Sequence, residues 1–236
     1  VLGVLESKEE MEMIEATYID HMGSDLSVVN AARVSFGKKS TFEGRVGGPN
    51  VLADRDAKLI KYLAKHKHTS PFGHAFASFH VKAPIFIARQ LVKHKFLRWN
   101  EISRRYVDDE PEFYVPDQWR GRSADKKQGS YGVVELEEFT LKSGHYPYDT
   151  PEELGLEVYK KLLEQGVAPE QARMVLPQST MTEWYWSGSL DAFAAMCQLR
   201  CKPDTQLETR LVAEQIDDKM IELFPVSWEA LRSYEE

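Results

Sequence analysis

The stretch from His74 to Ala83 alternates: Ala75, Ala77, Phe79, Val81 and Ala83 stand on one side of the pattern, and His74, Phe76, Ser78, His80 and Lys82 on the other. A period of two marks a strand with one face buried. Pro84 comes next. Proline is well placed to open a helix, because the N–H it lacks would find no partner in the first turn. The stretch Ala83-Pro84-Ile85-Phe86-Ile87-Ala88 is markedly apolar, so the predicted helix starts in a core and delivers Gln90, Lys93 and His94 at its end. A strand that hands over to a buried helix restricts the chain to mixed α/β folds.

What emerges from that core is charged. From Arg89 to Tyr106 the chain reads R-Q-L-V-K-H-K-F-L-R-W-N-E-I-S-R-R-Y, with Arg89, Lys93, Lys95, Arg98, Arg104 and Arg105 against the single acid Glu101. The formal net charge of the whole chain is -7. A cation run on a helix is ordinarily a solvated face. Here the cations are interleaved with Gln90, Trp99, Asn100, Ser103 and Tyr106, not with the Glu and Ala of a solvent face. An acidic chain that concentrates cations in one place points to a pocket for a small anion, whereas a nucleic-acid surface would come with a basic domain. Phosphate is the natural candidate, since Arg offers a fork of donors and Ser a short hydroxyl.

The remaining pattern predicts one α/β (α+β) domain over residues 1–236. Alternation predicts strands at about 10–19 and 180–186. Helices are expected at about 26–35, capped by Asp25, and at about 54–67, 152–165, 169–176 and 190–200. Leu207, Leu211, Val212, Ile216, Met220 and Leu223 form the apolar stripe of a long last helix. The stretch from Gly37 to Asn50 reads as a loop, and about 117–150 as a polar loop or insert with room for one short helix. There is no G-x-G-x-x-G and no P-loop, so a Rossmann crevice is not expected. No apolar run approaches the roughly eighteen residues of a membrane span, and the first residues lack the basic start of a secretory leader. Cys197 and Cys201 lie one helical turn apart, a poor geometry for a disulfide, and read as free thiols in a reducing cytoplasm. His66, His68, His74 and His80 match no standard zinc spacing, so no metal is expected.

Lys93-His94-Lys95, seven residues, then Ser103 resembles the R-H-R, seven residues, S signature of the flavin-dependent thymidylate synthases. Asn100, Glu101, Ser103, Arg105 and Tyr106 match the longer form S-x-N-E-x-S-x-R-Y. Further segments follow in the family's order. They are Asn30-Ala31-Ala32-Arg33-Val34-Ser35, Ser70-Pro71-Phe72-Gly73-His74, Phe79-His80-Val81-Lys82-Ala83-Pro84, Glu112-Phe113-Tyr114-Val115-Pro116, Glu170-x-x-Arg173-x-Val175-Leu176-Pro177, and Leu199-Arg200 with Gln206 and Glu208 beyond. There are departures. Both triplet arginines are lysines, which keeps the charge but loses the planar fork. Arg98 replaces the first serine. Ser189, Asp191 and Ala195 stand where an N-x-R and a later Asn would contact the flavin. The substrate half of the pattern is better kept than the flavin half.

The resemblance implies a central, mainly antiparallel sheet flanked by helices, and reductive methylation of dUMP to dTMP. Methylenetetrahydrofolate would give the carbon, and FAD reduced by NADPH the hydride. It implies dUMP contacts from Gln90, Lys93, Glu101, Ile102, Ser103, Arg104, Arg105, Arg173 and Arg200. Flavin contacts would come from His68, Ser70, Lys93, His94, Lys95, Glu101, Ser189, Asp191 and Ala195. Arg200 would act electrostatically on the uracil as N3 loses its proton, and Ser103 would position, not attack. Taken alone, Arg200 could be an ion pair, Arg173 a helix salt bridge with Glu170, Ser103 a turn hydroxyl, and Glu101 a neutraliser of its neighbours. Trp99, Trp184 and Trp186 could stack on a flavin or pterin, although buried aromatics more often build core. A homotetramer with shared active sites is implied, with no nucleic acid or membrane as partner. Two rivals stand beside this reading: hydroxymethylation of the same ring, and a non-catalytic dUMP-binding paralogue.

Overall fold

The computed structural model describes residues 13–44, 51–107, 109–122, 129–135 and 150–233. Its sheet is built from β1 (Glu15–Met22), β2 (Phe76–Pro84), β3 (Leu97–Glu101) and β6 (Met181–Ser189), in the order β1-β2-β6-β3 with every pairing antiparallel. β4 (Arg120–Arg122) and β5 (Ser130–Val133) form a separate two-stranded unit. The alternation in β2 does what its period predicts: Ala77, Phe79, Val81 and Ala83 are at most 1% exposed. Register sets Phe79 beside Trp186 and Val81 beside Trp184, so one face of the sheet is apolar across strands.

Helices cover that face. α1 (Asp25–Arg33), α2 (Asp54–Lys65), α6 (Leu190–Arg200) and α7 (Leu207–Leu223) send Val28, Ile60, Phe193 and Ile216 into the same core. Phe193 meets Phe79 and Trp186 edge-on at 5.4 and 5.6 Å. The opposite face, with Thr17, His80, Tyr185 and Asn100 in register, stays polar, and Tyr185 is 53% exposed.

Two close fits place the site-bearing segments. Pro84 has extended backbone, closes β2 and caps α3 (Ile85–Leu91), so the helix starts one residue later than expected. The turn after α3 carries Lys93 and His94, and at Phe96 (φ 65°) it swings the chain back into β3. There Leu97 crosses Gly188, where any Cβ would lie 2.4 Å from Leu97 Cδ2. A Cβ would make the flexible Leu97 side chain turn aside and would sit 3.2 Å from the Phe96 carbonyl, so glycine eases this close approach of β3 to β6.

Several expectations are corrected. β1 starts at Glu15 and runs to Met22; residues 10–12 of the expected strand, and 45–50 of the expected loop, lie outside the described residues. Asp25 does not cap its own helix. Ser24, in extended backbone, takes that place, and the Asp25 carboxylate accepts from the N–H groups of Val226 (3.1 Å) and Ser227 (2.8 Å). Those donors open α8 (Pro225–Arg232), a separate last helix, and the first-turn N–H groups of a helix have no partner of their own. Within 117–150, the described residues include β4 and β5, while 123–128 and 136–149, with the place of any short helix, lie outside the described residues. α4 (Pro151–Glu164) lies where a helix was expected, whereas α5 (Pro169–Ala172) is one turn that tightens into a 3-10 helix at Arg173–Val175.

Candidate functional site

The end of α3, the end of α6 and the start of α7 converge on one polar cluster. Arg200 Nε donates to His94 Nε2 at 3.0 Å, which puts the imidazole proton on Nδ1. Its Nη2 reaches the Gln90 carbonyl at 3.5 Å. The Gln90 side chain is clamped at both ends: its amide NH2 donates to Gln206 Oε1 at 2.6 Å, and its carbonyl accepts from Thr209 Oγ1 at 3.2 Å. Arg200 meets no carboxylate among the described residues, so the bland ion pair is not what holds it. Burial lowers its pKa. Burial first, and the Arg200 charge second, push His94 down to about 4.

His94 is therefore mainly neutral in the folded protein above about pH 4, and its neutral form dominates near neutral pH. An unfolded chain would take up that proton near 6.5, so this group removes stability as pH falls from 6.5 towards 4. In an NMR titration of Arg200→Ala, the His94 resonance is expected to titrate at a higher pH than in the unaltered protein, yet below 6.5, because burial remains. No change on losing Arg200 would assign the whole depression to burial.

A second group follows β3. Glu101 accepts from Thr182 Oγ1 (2.8 Å) and Trp99 Nε1 (3.0 Å), so its carboxylate is held by neutral donors and does not serve to neutralise the cations. Ser103 Oγ accepts from the N–H (3.4 Å) and Nε (3.1 Å) of Arg105, while Arg104 donates to the Asp109 carbonyl. Ile102 and Arg104 line a cavity of about 210 Å³ with Lys82, Glu112 and Thr182. Arg173 is exposed and donates to the Glu170 carbonyl at 3.3 Å, not to its carboxylate. Among the described residues no hydrogen bond or ion pair joins Ser103, Arg104, Arg105 or Arg173 to the Gln90–His94–Arg200 cluster.

The expected flavin residues divide as well. His68 and Ser70 line a cavity of about 970 Å³ along α2, shared with Phe36, Leu59 and Tyr62. Lys93 and Lys95 are exposed beside His94. Ser189 donates to the Asp191 carboxylate at 2.5 Å at the start of α6, and Ala195 is exposed; none of the three presents a cation. The tryptophans are structural: Trp184 and Trp186 are each 1% exposed, and Trp99 stacks on Trp184 at 4.3 Å. Cys197 and Cys201 are free, and burial pushes the Cys197 thiol well up, which makes it a poor nucleophile.

Sequence reasoning missed Thr209, fully buried on α7, and, though it named the neighbouring Glu208, gave that carboxylate no role. Glu208 accepts from the Tyr114 hydroxyl at 3.2 Å and pairs with Arg120 of β4, on the wall of a cavity of about 580 Å³. A buried acid inside an apolar helix stripe was the available signal.

Residues 17–226 match the family model described as thymidylate synthase complementing protein. The chain is 40% identical over 216 residues to a flavin-dependent thymidylate synthase of Thermus thermophilus, covering 92% of this chain and 74% of that protein. It is 38% identical over 218 residues to the flavin-dependent thymidylate synthase of Thermosipho melanesiensis, covering 92% of this chain and 89% of the relative. Among solved structures it resembles the UMP/dUMP methylase PolB from Streptomyces cacaoi bound with 5-Br dUMP. That likeness has a TM-score of 0.74 and 32% identity, over 94% of this chain and 95% of that one.

Proposed function

The chain belongs to the thymidylate synthase complementing protein family, and we propose that it takes its one-carbon unit from methylenetetrahydrofolate and its electrons from NADPH. The reaction is methylation of dUMP to dTMP, and the cofactor is a flavin, FAD. The observation that carries the reading is Arg200: a half-buried guanidinium that faces a neutral histidine and, among the described residues, no acid. A cation held this way is arranged for negative charge that arrives only with the substrate.

In this mechanism Arg200 stabilises the uracil ring as N3 gives up its proton. Gln90, its amide fixed by Gln206 and Thr209, orients the base. Lys93, Ser103, Arg104, Arg105 and Arg173 meet the nucleotide's phosphate and sugar, Glu101 and Ile102 line the same site, and Ser103 positions without attacking. His68 and Ser70 on their cavity, with Lys93, His94, Lys95 and Glu101, suit the flavin. When bound, that flavin supplies the redox chemistry, and the protein supplies orientation and charge. Ser189, Asp191 and Ala195 fit the cofactor less well, because the Asp191 carboxylate repels a diphosphate. Flavin affinity is therefore expected to be modest.

We place Ser103, Arg105 and Arg173 of one protomer beside the Arg200 cluster of another in a homotetramer with shared sites. The lack, among the described residues, of a hydrogen bond joining the two groups within one chain, and the exposure of Tyr185 on the polar sheet face, support this arrangement. Two free thiols suit the cytoplasm.

The test is an anaerobic incubation of the purified protein with dUMP, methylenetetrahydrofolate, FAD and NADPH, with the nucleotide identified by mass spectrometry. dTMP that depends on both flavin and folate is the expected product. A hydroxymethylated nucleotide would replace the methylation reading, and no product despite bound dUMP would leave only a binding protein.

A further inference from the structure

We propose that the far end of the cavity along α2 binds the glutamyl tail of the reduced folate through Arg55, Lys58 and Lys38; this rests on the function proposed above. The lining of this cavity includes Arg33, Lys38, Arg55, Lys58, His68 and His74 and, among the described residues, not one Asp or Glu. That is unusual in a chain of net charge -7. Arg33 is already committed, its Nε donating to Asp56 at 3.0 Å. Lys38, Arg55 and Lys58 are exposed, and their side chains make no ion pair or hydrogen bond among the described residues. Arg55 and Lys58 are three apart on α2 and so share one face.

Position separates these cations from the flavin residues. Arg55 is in the first turn of α2, and His68 and Ser70 follow the helix's end. At about 1.5 Å per residue, the helix from Arg55 to Lys65 is roughly 15 Å long. Between the two ends α2 contributes Leu59 and Tyr62 (53% exposed), and Phe36 (78% exposed) lines the same cavity. Partly exposed rings suit a flat heteroaromatic group. A ligand for such a trough has rings at one end and several separated negative charges at the other. A γ-linked glutamyl chain on a folate has that form: each added residue brings one carboxylate, spaced along an extended, solvated chain. Two ammonium groups and a guanidinium spread along an open rim match separated carboxylates better than a compact diphosphate.

Exposed pairs are individually weak, so three together are expected to tighten binding by about five- to tenfold, and to lose that gain in salt. The experiment measures dTMP formation by the FAD-loaded enzyme with monoglutamyl and pentaglutamyl methylenetetrahydrofolate. The unaltered enzyme should show a KM for the pentaglutamyl form about five- to tenfold lower than for the monoglutamyl form. Arg55→Gln/Lys58→Gln, and high salt, should each erase most of that difference, with Lys38→Gln erasing part of it. The thermal midpoint of each variant checks its fold. Equal KM values in the unaltered enzyme would overturn this inference and leave the proposed function standing. A variant that keeps the glutamyl preference, but loses bound flavin or needs more NADPH, would assign the cations to those anions instead. Absence of dTMP with either folate would overturn the proposed function, and the tail site with it.

Discussion

Arg200→Ala is expected to lower the rate of dTMP formation by about a hundred- to a thousandfold, the scale on which single preorganised electrostatic groups act. The fold should survive. Arg200 is only half-buried, and its loss frees an acceptor on His94 and the Gln90 carbonyl, both close enough to solvent to be hydrated. Far-UV circular dichroism and the thermal midpoint should therefore stay near those of the unaltered protein while turnover collapses. The geometry also predicts a graded series. Arg200→Lys keeps a charge but loses the planar donor set that reaches His94 and Gln90 together, so it should fall between the two. Near-normal turnover in Arg200→Ala would remove this residue from the mechanism.

The largest stability effect should come from Trp184→Ala, at about 3–5 kcal/mol. Trp184 is 1% exposed, stacks on Trp99 with an interplanar angle of 17°, and meets Trp186 edge-on at 6.4 Å. It lies in register between Val81 of β2 and Glu101 of β3. Its removal opens a cavity in the middle of the sheet and takes the packing partner from an edge strand of five residues. Since β3 leads directly into Ser103 and Arg105, activity should drop as well. Denaturant titration reads the first effect: the midpoint should fall with little change in slope. A loss below about 1 kcal/mol would mean that the backbone ladder, not the stack, holds β3 in place.

How much of this was legible depends on the range over which each interaction acts. The helix expected over 190–200 is α6, residue for residue, and the stripe from Leu207 to Met220 is buried as its spacing required. The β2 alternation pointed to the sheet for the same reason. In each case the burial of one face repeats along the chain at the period of the element, so neighbours in sequence carry the signal. The ordered motifs likewise disclosed the family, because they match residue by residue. β3 escaped notice. It is short, its alternation is broken by charge, and its pairing joins residues far apart in the chain, such as Leu97 and Gly188.

From sequence alone came the mixed α/β class, the boundaries of the long periodic elements, the family, and the residue types that meet an anion. Only the tertiary structure decided what those residues do to one another. Arg200 faces His94, 106 residues earlier, and not an acid. Thr209 fixes Gln90 across 119 residues, and Asp25 caps a helix 202 residues away. The large cavity collects cations from α1, α2 and the loops between. A hydrogen bond depends on atoms within about 3 Å, whatever the number of residues between them. Such partners leave no periodic trace, and the fold must bring them together before they can be read.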